Sequence, residues 1–169
     1  MKIWQMLFSP NGRIRRRDYW IYELAATAVF VLVYMLVFRP AGISPVMNGA
    51  LMTFIRTGQI SPVMVAAYAA FVLGAQYVQF CLHAKRWHDR NRPTILAAIL
   101  VGVNILNLLL SYLPRDRTGP VAVATALTYG AALVMGLWAL VECGCLDGMK
   151  EANRYGPSPK YPVQAPDVF

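Results

Sequence analysis

Residues 62–92 read PVMVAAYAAFVLGAQYVQFCLHAKRWHDRNR, and their order of apolar and charged residues decides the class of the molecule. The run Pro62–Leu82 holds no charged residue. A helix rises ~1.5 Å per residue, so about 20 such residues cross a ~30 Å hydrocarbon core. A buried helix of a soluble bundle would show a charged face at a 3.6-residue period, and this run shows none. Lys85-Arg86-Trp87-His88-Asp89-Arg90-Asn91-Arg92 then crowds cations just past the end of the run. An apolar run that ends in Lys and Arg is the pattern of a span leaving the bilayer on its cytoplasmic side.

Three further runs extend the pattern. Tyr19–Phe38 has Glu23 as its one charge, and Thr94–Leu113 and Pro120–Val141 have none. The expected fold is an all-α integral membrane protein with four transmembrane helices and a short N-terminal interfacial helix. The spans fall at about 19–38, 62–82, 94–113 and 120–141, within a membrane domain 19–141. Residues 1–18 form a basic interfacial segment and 142–169 a tail. Composition agrees, with 57% hydrophobic and 14% charged residues in 169. A soluble domain runs nearer 45–50% and about 25%. The apolar content excludes disorder, and 12 Gly and 3 Cys without a repeating frame exclude collagen-like and disulfide-scaffold classes. The first run is longer than a signal-peptide core and is followed by Arg39-Pro40-Ala41-Gly42, so it is expected as a retained span.

Lys and Arg distribution sets the expected orientation. Twelve flank one side, in the N-terminal segment, the 85–92 link and the tail; four flank the other, at Arg39, Arg56, Arg115 and Arg117. This places both termini in the cytoplasm. Cys81, Cys143 and Cys145 lie at that side, where thiols stay reduced. The net charge of +8 then belongs to a membrane face rather than to a nucleic-acid domain.

Local signals fill in the rest. Ile3, Trp4, Leu7 and Phe8 share one face of a short interfacial helix. Asp18 is expected to cap the first span, with Tyr19, Trp20 and Tyr22 at the headgroup level. Leu51–Ile55 in the outer loop has the makings of an interfacial helix, and Pro114–Gly119 of a tight turn. Pro157, Pro159, Pro162 and Pro166 bar a long helix from the tail. Two stripes of small residues, Ala66-Ala70-Gly74 and Ala122-Ala126-Gly130, read as surfaces of close helix approach.

Few residues suggest chemistry. His88 beside Asp89 offers acid and base groups, although sequence neighbours on a helix do not face each other. The link carrying them reads as a cytoplasmic loop. Glu23 is an ionisable residue inside a span, which marks it for attention. Its expected partner is Arg16, Arg17, Lys85 or Arg86. Gln76, Gln79, Asn104 and Asn107 suit interhelical hydrogen bonds. Cys143, Cys145, Cys81, His83 and His88 match no zinc spacing, and no phosphate or dinucleotide loop occurs. No metal, cofactor or catalytic residue is assigned.

Three segments resemble the motifs of one family. Phe8-x-x-x-Gly12-Arg13-Ile14-Arg15-Arg16-Arg17-Asp18-Tyr19-Trp20 is similar to the opening motif of the DUF805 family of small bacterial inner-membrane proteins. Lys85–Arg92 resembles its central motif, with Trp87 where that family usually has Leu. Asn153-Arg154-Tyr155-Gly156-Pro157-Ser158-Pro159 resembles its closing motif. The resemblance implies a multi-pass protein of the bacterial inner membrane and implies no reaction. Each motif abuts a span on the same side, so the three are expected to meet in one polar cluster of Arg13, Arg16, Arg86, His88, Asp89, Arg90, Asn153, Arg154 and Tyr155. Two forms are open: a clasp with its arginines paired, or a ligand site with two or more arginines unpaired around a pocket. The leading functional expectation is a non-catalytic binding or structural protein whose basic face contacts anionic lipid headgroups, a partner membrane protein or a second copy. A small transporter or channel, and a lipid-headgroup enzyme using His88 and Asp89, are the alternatives.

Overall fold

The computed structural model describes residues 3–43, 58, 61–111 and 119–161; the regular elements among them are helices, with no strand beyond one isolated bridge. Five helices follow in order: α1 Ile3–Phe8, α2 Arg16–Val33, α3 Pro62–Asp89, α4 Ile95–Ser111 and α5 Pro120–Ala139. Single π-turns extend α2 over Tyr34–Phe38 and α5 over Leu140–Cys145. Among the described residues, three helical stretches are long and apolar enough to cross a membrane: Arg16–Phe38, Pro62–Asp89 and Pro120–Cys145, with 23, 28 and 26 residues. Ile95–Leu110 is apolar but shorter. By length and composition the chain is a multi-pass membrane protein. The expected end of the third run, the helix expected at Leu51–Ile55 and all of the turn expected before Gly119 lie outside the described residues.

Helix ends depart from the sequence expectation in three places. Asp18 does not cap α2: the helix begins at Arg16 behind an extended Arg15, and Asp18 sits in its first turn, where a negative charge complements the helix dipole. The central motif is not a loop, since α3 runs on through it to Asp89. No Gly or Pro interrupts His83–Asp89, so nothing local stops the helix. It ends when Asn91 adopts φ 57°, with the Asn91 and Arg92 N–H groups bonding the carbonyls of His88 and Trp87. The fourth run likewise continues beyond Val141 to Cys145, and the tail starts at Leu146. The start of α3 is conventional, with Ser61 Oγ accepting from the Val63 N–H and Pro62 in the first turn.

α4 packs on both α3 and α5, while α2 packs on α3 and on the π-turn that ends α5. The starts of α2 and α4 and the ends of α3 and α5 therefore share one end of the bundle. Burial concentrates there: all nine residues Cys81–Asp89 are buried, and Ile14, Tyr19, Leu82, Trp87, Leu100 and Cys143 belong to the main apolar core. A smaller core of Phe38, Ile43 and Tyr68 closes the other end. The outward faces stay apolar, with Leu24, Leu32, Leu36, Leu127, Leu133 and Leu137 exposed. The two small-residue stripes do not bring helices together. Ala66, Ala70, Gly74, Ala126 and Gly130 are exposed, and a Cβ on Gly74 or Gly130 would meet nothing within 4 Å.

Candidate functional site

Asp89 stands at the centre of the buried end, on the last turn of α3. Its Oδ1 accepts from Arg13 Nε at 3.0 Å and lies 2.9 Å from Arg13 Nη2. Its Oδ2 accepts from Arg86 Nη1 at 2.5 Å. The i,i+3 spacing puts Arg86 and Asp89 on one helix face, and Arg13 arrives from the extended segment before α2. All three side chains are at most 5% exposed.

The remaining guanidinium donors hold backbone. Arg13 Nη1 donates to the carbonyls of Glu151 at 2.8 Å and Gly156 at 3.1 Å, and Nη2 to Met149 at 2.6 Å. Arg86 Nε donates to the Cys143 carbonyl at 2.7 Å and Nη2 to that of Leu146. Trp20 Nε1 takes the Gly144 carbonyl at 3.0 Å, and Arg16 Nη1 takes that of Cys145 at 2.7 Å. A helix leaves its last four carbonyls unpaired and carries partial negative charge there. Here the π-turn ending α5 presents those carbonyls to two arginines and an indole. Gly144 is required at this approach, because a Cβ would come 2.6 Å from the Trp20 ring. Gly148 is more constrained still, with a Cβ 1.7 Å from Asp89 Oδ2.

The tail is fastened by the closing motif. Asn153 Nδ2 donates to the His88 carbonyl at 2.8 Å, and its Oδ1 accepts from the Tyr155 N–H at 2.9 Å, forming a side-chain turn. Asn153 and Gly156 bond each other through both backbone groups, and Gly156 takes φ 119°, which suits glycine. The Tyr155 ring stacks on His88 with centroids 3.7 Å apart and planes 8° from parallel. His88 Nδ1 meets the Gly12 carbonyl at 3.1 Å, which only accepts, so Nδ1 carries a hydrogen. Its Nε2 lies 2.7 Å from Thr94 Oγ1.

The structure thus brings Arg13, Arg86, His88, Asp89, Asn153 and Tyr155 into one cluster. Arg154 sits on its rim, donating to Asn91 and lying over the Tyr155 ring. Arg16 is half-exposed beside Asp147. Arg90 joins through a different acid: its Nε donates to Glu142 at 2.6 Å, and Arg92 lies 3.7 Å from the same carboxylate. Glu142 was not singled out in the sequence, although an acid on the last turn of a span opposes the helix dipole and so calls for a cation. The contacts of Gly148 and Trp20 were also missed, and Lys85 meets other partners than the expected Glu23. Lys85 is fully buried and donates to the carbonyls of Gln5 and Met6, tying α1 to α3.

Glu23 stands apart from the cluster. The expected arginine or lysine partner is replaced by Gln79, whose Nε2 lies 2.5 Å from Glu23 Oε1. Arg16, Lys85 and Arg86 all bond elsewhere. Among the described residues no group of three His, Cys, Asp or Glu is gathered for a metal, and Cys81, Cys143 and Cys145 are free thiols.

The family model described as "Protein of unknown function (DUF805)" matches residues 7–157. The chain belongs to the DUF805 family. No curated protein and no solved structure matches it. The matched span of this DUF805 protein covers the whole cluster except its outermost contacts at Ser158–Tyr161. Beside that cluster lies a cavity of about 240 Å³ bordered by Arg15, Arg16, Arg17, Asp147, Ser158 and Lys160. Arg15 donates through Nε to the Pro159 carbonyl, Arg17 is largely exposed, and Lys160 and Arg16 share Asp147.

Proposed function

We propose that this DUF805 protein is a non-catalytic membrane protein in which the buried cluster clasps the tail beneath the bundle and the adjoining basic cavity holds the phosphate of an anionic lipid headgroup. The observation that carries the reading is the contrast in pairing. Arg13 and Arg86 are committed to Asp89 and to backbone carbonyls, whereas Arg15, Arg16, Arg17 and Lys160 border an open cavity, where Arg16 and Lys160 share the exposed Asp147 and Arg17 pairs with its neighbour Asp18. Cations at a membrane surface contribute about 1 kcal/mol each toward anionic lipid. The engagement of both His88 nitrogens and both Asp89 oxygens weighs against acid–base catalysis there.

The same reading takes four spans in a bacterial inner membrane, with the clasp and both termini in the cytoplasm, on the strength of the twelve-to-four distribution of Lys and Arg. Reporter fusions at Gly58 and Gly119 are then external and one at Pro162 internal; an external Pro162 rejects the topology. Native mass spectrometry after mild extraction tests the headgroup. Retention of phosphatidylglycerol by the parent protein, and its loss when Arg15, Arg17 and Lys160 are all changed to Gln, is the expected result. Equal retention by both removes the reading.

A further inference from the structure

A cavity of about 270 Å³ lies among α2, α3, α4 and α5, lined by Tyr19, Glu23, His83 and Asn104 with Ala132, Gly136 and Ala139. A neighbouring cavity of about 400 Å³ shares Asn104 and adds Gln76 and Gln79. Two of their buried acceptors lack a donor. Glu23 Oε1 accepts from Gln79, but no donor among the described residues reaches its buried Oε2. Gln76 Oε1, one helical turn from Gln79, is a second buried acceptor without a donor. His83 supplies none: its Nδ1 donates to the Gln79 carbonyl at 2.9 Å, and its Nε2 is engaged with the Tyr19 hydroxyl at 3.2 Å. The nearby cations Arg16, Lys85 and Arg86 hold backbone carbonyls and acids of the clasp. The facing wall on α5 is small and apolar.

We propose that this cavity binds the ammonium group of an amphiphilic amine, with Glu23 as its counter-ion and the apolar body lying along the Ala132–Gly136–Ala139 face of α5. An ammonium carries three donors and no acceptor, which matches the unmet Glu23 Oε2 and its amide neighbours. It also supplies the positive charge that a carboxylate inside a span requires. A metal ion fits less well, since Glu23 is accompanied by amides rather than by further acids, thiols or free imidazoles. The ammonium can come from an aminophospholipid headgroup or from a free hydrophobic amine. The site is separate from the basic cavity at the tail and does not depend on lipid binding there.

The test is equilibrium binding of radiolabelled dodecylamine to the full chain in maltoside micelles, with dodecanol as competitor. One saturable site per chain that dodecanol does not clear is expected. Glu23→Gln removes the charge at constant size. Gly136→Leu fills the cavity, and a Cβ at Gly136 has nothing within 4 Å to clash with. Each is expected to weaken binding at least about tenfold, the first by loss of a charge-assisted bond and the second by occupying the space of the apolar body. Displacement by dodecanol as effective as by unlabelled dodecylamine overturns the proposal. So does either variant binding like the parent while melting at the same temperature; if Glu23→Gln fails to fold, Gly136→Leu alone decides. Native mass spectrometry separates the sources. Retained phosphatidylethanolamine that Glu23→Gln releases identifies the lipid, and amine binding without such retention identifies a free amine.

Discussion

At the buried polar end of the bundle, each nitrogen of Arg13 meets an acceptor and each oxygen of Asp89 meets a guanidinium. Deeper between the same helices, Glu23 Oε2, Gln76 Oε1 and Asn107 Oδ1 are buried without donors. The first region is held by directional bonds between segments far apart in sequence, and few arrangements satisfy it. The second is held by apolar contact between helices, which fixes no partner for a polar atom. One exception sharpens the contrast. Trp87 Nε1 lacks an acceptor within the otherwise saturated end.

The largest effect is expected at Asp89. Asp89→Ala leaves the Arg13 and Arg86 guanidinium groups buried without their shared carboxylate, which costs about 3–5 kcal/mol. Unfolding in a detergent titration reads the loss, and limited proteolysis reads release of the tail; an unchanged midpoint would erase the distinction between the two regions. Next comes a matched pair of glycines. Gly148→Ala drives a Cβ into Asp89 and is expected to cost about 1–3 kcal/mol. Gly130→Ala, with open space before it, should shift the same midpoint by less than about 0.5 kcal/mol. The smallest effect belongs to the interior. Asn107→Leu gives up one bond to the Thr128 carbonyl and removes the unmet Oδ1, so stability should move by no more than about 0.6 kcal/mol.

What could be read from the chain follows the same division. Apolar runs reported the helices, because hydropathy depends on composition rather than on partners. The motifs at the run ends reported which residues share one end of the bundle, because connectivity alone carries Gly12–Arg17, Lys85–Arg92 and Asn153–Pro159 there. Pairing was not legible. The carboxylate meeting Arg90 is Glu142 rather than Asp89 or Glu23, a choice made by the extra π-turn of α5. That turn has no signature in LVECGC. Nor did the spacing Ala66-Ala70-Gly74 reveal its face, since small residues at every fourth position suit an outward stripe as well as an inward one.

Arg13 also imposes an order on how the molecule is made. The carbonyls of Met149, Glu151 and Gly156 that receive its donors are synthesised more than 130 residues after it. Until they exist, its Nη1 group lacks an acceptor of the finished fold. A product cut short before Met149 never acquires one, and would then have to bury unmet donors or leave Asp89 half-paired. The Arg13 side chain thus joins the opening motif to the tail, the two ends of the described chain.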